Sequence, residues 1–295
     1  MPHRNLIIDT NNLAFIMRHS KVKTPTNLAH KETMIAEFIF LNMLLFILSF
    51  AKNNKIDSLV ICLEGTDVWR KGIYPEYKAN REYDEDAYYS EVLRGIDIFQ
   101  SYMREHTAAT VLKHNKMEAD DLIAVWCQMS EGVENVILSS DNDFIQLTDD
   151  HTSCYSPHVK DWLTADDVMF SLFVKCIRGD RNDNIRSAYP RVRLTTLQEA
   201  WEDSYKMINL LETIMKDGKK VNDTLEFNMK LIDLKSQPQQ YRDEVLEMID
   251  SYAPGTYNLF DTLRYLKNMG LKDMEQNFKF SDNVLKTKSV FNCNK

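Results

Sequence analysis

Short apolar runs that each end on an acid alternate, through the first half of the chain, with longer segments of helical period. Leu6–Ile8 runs into Asp9, Ser58–Leu63 into Glu64, and Asn135–Leu138 into Ser139, Ser140 and Asp141. Unbroken β-branched and apolar runs of this length are typical of parallel strands covered on both faces. Between them, Met34–Ala51 is apolar nearly all round, which predicts a buried helix. The segment after Ala87 places Val92, Leu93, Ile96, Phe99 and Met103 on one face, and Glu118–Met129 does the same with Leu122, Val125 and Trp126. The alternation predicts an α/β fold over residues 1–178, with a central, mainly parallel sheet flanked by helices. Beyond Asp166 the strand signal fades. Val168–Ile177 suits an amphipathic helix there, and Leu197–Met215, Gln239–Ile249 and Asn258–Leu266 predict a mostly helical region over 179–295.

Ligands of open α/β sheets bind beyond the carboxyl ends of the strands, so the acids that close the apolar runs should meet there. Asp9, Glu64 and Asp141 occupy those ends. Three local motifs add to them: M-E-A-D-D with Glu118, Asp120 and Asp121, S-S-D-N-D with Asp141 and Asp143, and G-D-R-N-D-N with Asp180 and Asp183. Singly, each acid has an ordinary reading as a helix cap, a first-turn acid or a turn former. Gathered, they would repel and raise one another's pKa values unless hard cations neutralised them. An all-oxygen set without His or Cys suits Mg²⁺ or Mn²⁺, and a pair of such ions is the arrangement that hydrolyses phosphodiesters.

Net charge is −8, which alone argues against a phosphate partner. The distribution changes that picture. Trp69–Arg81 interleaves Arg70, Lys71, Lys78 and Arg81 with Trp69, Tyr74 and Tyr77, a pattern suited to holding phosphates and stacking on unpaired bases. Lys175–Arg193 is also basic, carrying Arg186, Arg191 and Arg193. Five scattered cysteines without a C-x-x-C suggest neither a disulfide framework nor a zinc site. The longest apolar run, Phe38–Phe50, is 13 residues, short of the about 20 that cross a bilayer. The amino terminus enters an apolar run at once, so no leader and no membrane association are expected, and a reducing, cytoplasmic setting fits.

With these motifs on the page, the chain resembles the metal-dependent 5′ nuclease family, which includes flap endonucleases and the 5′-nuclease domains of bacterial DNA polymerases. L-I-I-D around Asp9, P-E-Y-K-A-N-R (75–81), M-E-A-D-D (117–121), S-S-D-N-D-F-I-Q-L (139–147) and G-D-R-N-D-N-I (179–185) occur in family order. The T-even bacteriophage branch is the nearest likeness. The resemblance implies a PIN-like fold with a helical arch over the site from about 69 to 96, and two Mg²⁺ ions for which Mn²⁺ can substitute. It implies one metal set of Asp9, Glu64, Glu118, Asp120, Asp141 and Asp143, and a second of Asp121, Asp143, Asp180 and Asp183. Tyr77 would stack near the scissile nucleotide, and Lys78 and Arg81 would stabilise the phosphate under attack. Arg70 and Lys71 would add nucleic-acid contacts.

The implied activity is 5′ to 3′ cleavage of RNA·DNA and DNA duplexes and of 5′ flaps, as in removing RNA primers during phage-type lagging-strand replication. Branched or nicked duplex DNA and RNA·DNA hybrid are the implied partners, with a single-stranded-DNA-binding protein and a sliding clamp beside them, and a monomer is expected. Two departures stand out. Glu64 replaces the family's usual Asp, and I-R-S-A-Y-P-R-V-R (185–193) replaces a glycine-rich, K⁺-binding hairpin, which shifts duplex contact to Arg186, Arg191 and Arg193. A non-catalytic branched-DNA-binding protein is the alternative. A haloacid-dehalogenase-type phosphatase would need an acid where Asn11 stands.

Overall fold

A computed structural model describes residues 2–18, 34–81, 87–130, 132–271 and 283–289. In chain order the elements begin β1 (Arg4–Asp9), α1 (Thr10–Met17), α2 (Ile35–Asn53), β2 (Ser58–Leu63), α3 (Trp69–Ile73) and α4 (Ala87–His106). They continue β3 (Thr110–Lys113), α5 (Ala119–Met129), β4 (Glu134–Leu138), a 3-10 turn (Asn142–Leu147), β5 (Thr152–Ser156) and β6 (Asp161–Leu163). Helices α6 (Val168–Arg178), α7 (Leu194–Glu202), α8 (Ser204–Leu211), α9 (Val221–Ile232), α10 (Gln239–Asp250), α11 (Leu259–Asn268) and α12 (Asn283–Lys286) complete the described chain.

The strands form one sheet in the order β3-β2-β1-β4-β5-β6, all parallel except the β5–β6 pair. Alternate residues of each central strand serve opposite layers, as the pleat requires. Leu6, Ile8, Leu59, Ile61, Val136 and Leu138 pack with α1, α2, α4 and α11. Ile7, Val60, Cys62 and Ile137 pack with α5 and α10. This is the expected sheet with helices on both faces. Helix α2, at 19 residues, is long and apolar enough by composition to cross a membrane, exceeding the run that the sequence suggested. Its Phe40, Leu41, Met43, Leu44 and Ile47 are fully buried in the first of these cores.

Two expectations change. The helices after Gly179 do not stay together: α6 to α9 share a third core around Cys176, Ile177, Leu197, Leu210 and Val221, while α10, α11 and α12 return to the sheet layers. A boundary at residue 178 therefore cuts through a core. The long helix expected over Leu197–Met215 is broken, because the Asp203 carboxylate accepts from the Tyr205 and Lys206 N–H groups and caps a new helix there. Of the expected arch, Trp69 and Arg70 are buried in the body, and Val92 and Ile96 belong to the first core. Residues 82–86, its middle, and most of the tail beyond Phe280 lie outside the described residues.

Just past β2, Gly65 donates to the Met117 carbonyl at 2.9 Å, bringing the chain that carries Glu64 against the chain that carries Glu118. A Cβ at this position would lie 2.4 Å from the His114 and Met117 carbonyl oxygens. Gly65→Ala should therefore destabilise the protein by about 1–3 kcal/mol, read as a lower urea midpoint; an unchanged midpoint would mean that the approach is not needed.

Candidate active site

Strand β1 has β2 on one side and β4 on the other, so the chain reverses its winding direction at β1 and opens a crevice at its carboxyl end. The register sets Asp9 beside Cys62 and Ile8 beside Leu138. Glu64 and Asp141 follow a few residues on from those partners. Asp9, Glu64, Glu118, Asp120 and Asp141 line one groove of about 840 Å³, together with Asn12, Lys71, Lys78 and Arg81. A smaller neighbouring pocket is lined by Asp120, Asp143, Asp180, Asp183, Tyr77 and Lys175. Asp120 borders both.

The strand-end acids are caps as well as site residues. Asp9 accepts from the Asn12 N–H at 3.1 Å and from the Ser139 hydroxyl at 2.8 Å. That hydroxyl in turn accepts from the Asp141 N–H at 3.2 Å, and Asp141 accepts from the Asp143 N–H at 2.9 Å. Glu64 accepts from the Ala119 N–H at 3.2 Å, at the start of α5, where the helix dipole favours an anion. Burial pushes the Asp9 carboxyl up to about 6, Glu64 to about 7 and Asp143 to about 6. Asp120 is raised well above its ordinary value, by burial first and then by Asp9 and Glu64.

Lysines supply counter-charge. The Lys78 ammonium lies 2.5 Å from Glu118 and 3.9 Å from Asp183. Against the upward push of burial, Lys78 and Arg70 hold Glu118 below its usual value. Lys175 pairs with Asp143, and with Asp180 at 3.0 Å, and keeps Asp180 low in the same way. Lys175 and Ser139 are the residues that sequence reasoning did not single out. Lys175 opened the basic stretch Lys175–Arg193 and Ser139 stood within the S-S-D-N-D motif, but no local pattern assigned either a role at the carboxylates. Among the described residues, no three acids converge into a ready-made metal cage.

Three assignments are corrected. Asp121 is fully buried and faces neither pocket: it takes a bidentate pair of bonds from Arg70, both 2.8 Å, and accepts from the Trp69 indole at 3.0 Å. Arg70, 1% exposed, also donates to Glu118 and to the Leu231 carbonyl, so it is a buried anchor rather than a nucleic-acid contact. Tyr77, 3% exposed, offers no face for stacking; its hydroxyl donates to Glu118 at 3.0 Å and Asp183 at 3.2 Å. The aromatic residues of Trp69–Tyr77 turn inward because they have a core to fill, leaving Lys71 and Arg81 exposed. Arg186, Arg191 and Arg193 are exposed as expected, Arg186 lying 3.6 Å from Asp217.

The donor set fits hard divalent cations: oxygen ligands line two adjoining pockets, where burial raises Asp9, Glu64, Asp120 and Asp143 and a bound cation would favour their charged forms. A parallel α/β sheet with such a carboxylate groove at its carboxyl edge, bordered by lysine and arginine, belongs to the class of PIN-like 5′ nuclease folds. Residues 4–173 match the family described as the 5′-3′ exonuclease, N-terminal resolvase-like domain, and the chain belongs to that family. It is 28% identical over 202 residues to the flap endonuclease of Escherichia phage T5, covering 62% of this chain and 65% of that one. It is 29% identical over 194 residues to DNA polymerase I of Treponema pallidum, covering 58% of this chain but 18% of the polymerase. The chain thus spans less than two-thirds of the curated relatives named here. Its fold matches that of the T5 D15 protein, co-crystallised with metal ions, with a TM-score of 0.64 at 20% identity over 93% of this chain and 99% of that one.

Removing the guanidinium should show which role Arg70 has. Arg70→Met leaves Asp121 buried without its cation and Glu118 with Lys78 as its remaining cation, and should cost about 3–5 kcal/mol of stability by urea unfolding; wild-type stability with weakened DNA binding would restore Arg70 as a nucleic-acid contact. The crowded acids set a pH dependence. A carboxyl whose folded pKa is raised stabilises the fold while protonated and loses that contribution as pH rises through the folded value. For Asp9, Glu64 and Asp143 the window runs from about 4 to about 7. Glu118 and Asp180, held low, act oppositely and only at lower pH. In EDTA the melting temperature should fall between pH 5 and pH 8, and less so in Asp120→Asn. Equal slopes in the two proteins would remove the acids as the cause.

Proposed function

We propose that this chain is a Mg²⁺-dependent 5′ to 3′ nuclease that acts on RNA·DNA and DNA duplexes and cuts 5′ flaps, removing RNA primers in phage-type lagging-strand replication in the cytoplasm. The observation that carries the reading is the pair of adjoining carboxylate pockets sharing Asp120, set in a groove bordered by Lys71, Lys78 and Arg81. A lone carboxylate pocket would suit many hydrolases. Two that adjoin, beside cations, suit a phosphodiester.

Asp9, Glu64, Glu118, Asp120 and Asp141 would hold one divalent ion, and Asp120, Asp143, Asp180 and Asp183 the other. When bound, the ions supply activation of water and stabilisation of the leaving oxygen. The protein's own groups do the rest. Ser139 and the Asn12 N–H fix both oxygens of Asp9, so its carboxylate cannot rotate out of the groove. Tyr77 and Arg70 share one oxygen of Glu118 and leave the other facing Lys78. Lys78, 14% exposed, and Arg81, 41% exposed, lie on the groove side and would bind the non-bridging oxygens of the scissile phosphate, orienting it and offsetting the charge that grows during attack. Arg186, Arg191 and Arg193 would hold the flanking duplex through its phosphates.

The deciding experiment incubates a 5′-labelled RNA·DNA hybrid and a 5′-flap duplex with protein and Mg²⁺. Short labelled products that disappear with EDTA, and in Asp141→Asn by about a thousandfold or more with binding retained, are expected. Flap binding without cleavage in the unaltered protein would instead favour a binding module, and wild-type cleavage by Asp141→Asn would sink the metal assignment.

A further inference from the structure

The turn bearing Lys78 and Arg81 and the turn bearing Asp180 and Asp183 lie about a hundred residues apart, and neither is part of a regular element beyond a single bridge between Asp180 and Ile185. They are nonetheless bonded to each other throughout. The Lys78 N–H donates to the Asp183 carbonyl at 3.0 Å. Asn80 donates its amide to the Arg181 carbonyl at 2.6 Å, and Asn184 donates its own to the Glu76 carbonyl at 2.9 Å. The Tyr74 hydroxyl donates to the Asn184 carbonyl at 3.1 Å, and Arg81 donates to the Asp183 carboxylate at 2.6 Å. Each turn therefore supplies donors and acceptors that the other uses.

Backbone conformation points the same way. Lys78 has φ 57 and Asn184 φ 59, both left-handed. For residues with a Cβ this region costs about 1–2 kcal/mol and persists where the surroundings over-determine it. At Lys78 the left-handed turn lets one residue send its N–H to Asp183 while its ammonium reaches Glu118. At Asn184 it lets the side chain reach back to Glu76 while the carbonyl meets Tyr74. Loops that merely touched would need neither.

We propose that Asn80 and Asn184 are positioning residues that lock these two turns into one unit, so that the phosphate-facing Lys78 and Arg81 keep a fixed placement relative to Asp180 and Asp183 of the second pocket. The proposal rests on the nuclease reading above and deepens it. Cations and carboxylates that must act together on one phosphate cannot drift independently, because a misplacement of about 1 Å costs on the order of a hundredfold in rate. Neither asparagine lines the groove or the smaller pocket; both act through the residues that do.

Asn184→Gly keeps the left-handed backbone and removes only the side-chain tie, and Asn80→Ala removes the other. Each should lower kcat about tenfold with KM within about twofold, and melting temperatures should stay near that of the unaltered protein. In a Lys78→Ala, Arg81→Ala background each should cost less than about twofold, because the groups being positioned are gone. Full kcat in the single variants, or the same loss in both backgrounds, would overturn the lock. Amide hydrogen exchange decides it independently of catalysis: Asn184→Gly should speed exchange across 74–81, and Asn80→Ala across 180–186. Unchanged protection in both would also overturn it. If the unaltered chain fails to cleave, the nuclease reading falls, and the exchange measurement still judges the lock.

Discussion

Crowding of carboxylates at one sheet edge is the constraint to which the rest of this structure answers. Asp9, Glu64, Asp120 and Asp143 are driven together by topology and pushed toward their protonated forms by burial. Such a cluster persists because cations are built around it. Lys78 and Lys175 stand at the two pockets, and Arg70 lies beneath Glu118 and Asp121 with a planar fork of N–H donors that suits a bidentate carboxylate. Arg70 in turn needs a dry, fully bonded position, which the inward-facing Trp69 and the Leu231 carbonyl provide. The helices after β6 thus do more than cover the sheet: they complete the neutralisation of the site, through Lys175 on α6 and the end of α9.

Caps and ligands coincide here. An Asp at a strand end is an ordinary way to start a helix, and Asp9 and Asp141 do start α1 and the 3-10 turn after β4. Capping holds the carboxylate still at the groove, and at Asp9 the Ser139 hydroxyl holds the second oxygen as well. The bland reading of these residues and the functional one are two uses of a single placement.

The sheet core was legible because its signal is local. Apolar runs at β1, β2 and β4 and the helical faces of α2, α4, α5 and α6 lie close to the stretches read from periodicity. Strands β3, β5 and β6 were not legible: Thr110–Lys113 is short, and Thr152–Ser156 and Asp161–Leu163 are polar or half-exposed, held by pairing with neighbours rather than by their own composition. Helix α1 was passed over between a strand and an uninformative stretch, and α9 had a mixed polar pattern that becomes amphipathic only against α6.

The identity of the acids at the strand ends, their motif spacing and the basic stretch beside them were settled by the sequence, since strand-end position and residue type together determine what chemistry a sheet edge can hold. Which member of each motif faces the site was decided by tertiary structure alone. Asp120 and Asp121 are neighbours in sequence, and the helical rotation of about 100° between them sends one to both pockets and the other to Arg70. The same holds for Tyr77 and Lys78, one buried under the carboxylates and one beside them. Orientation of that kind depends on what packs behind each side chain, and those partners lie about 50 to 160 residues away, beyond the reach of any local pattern.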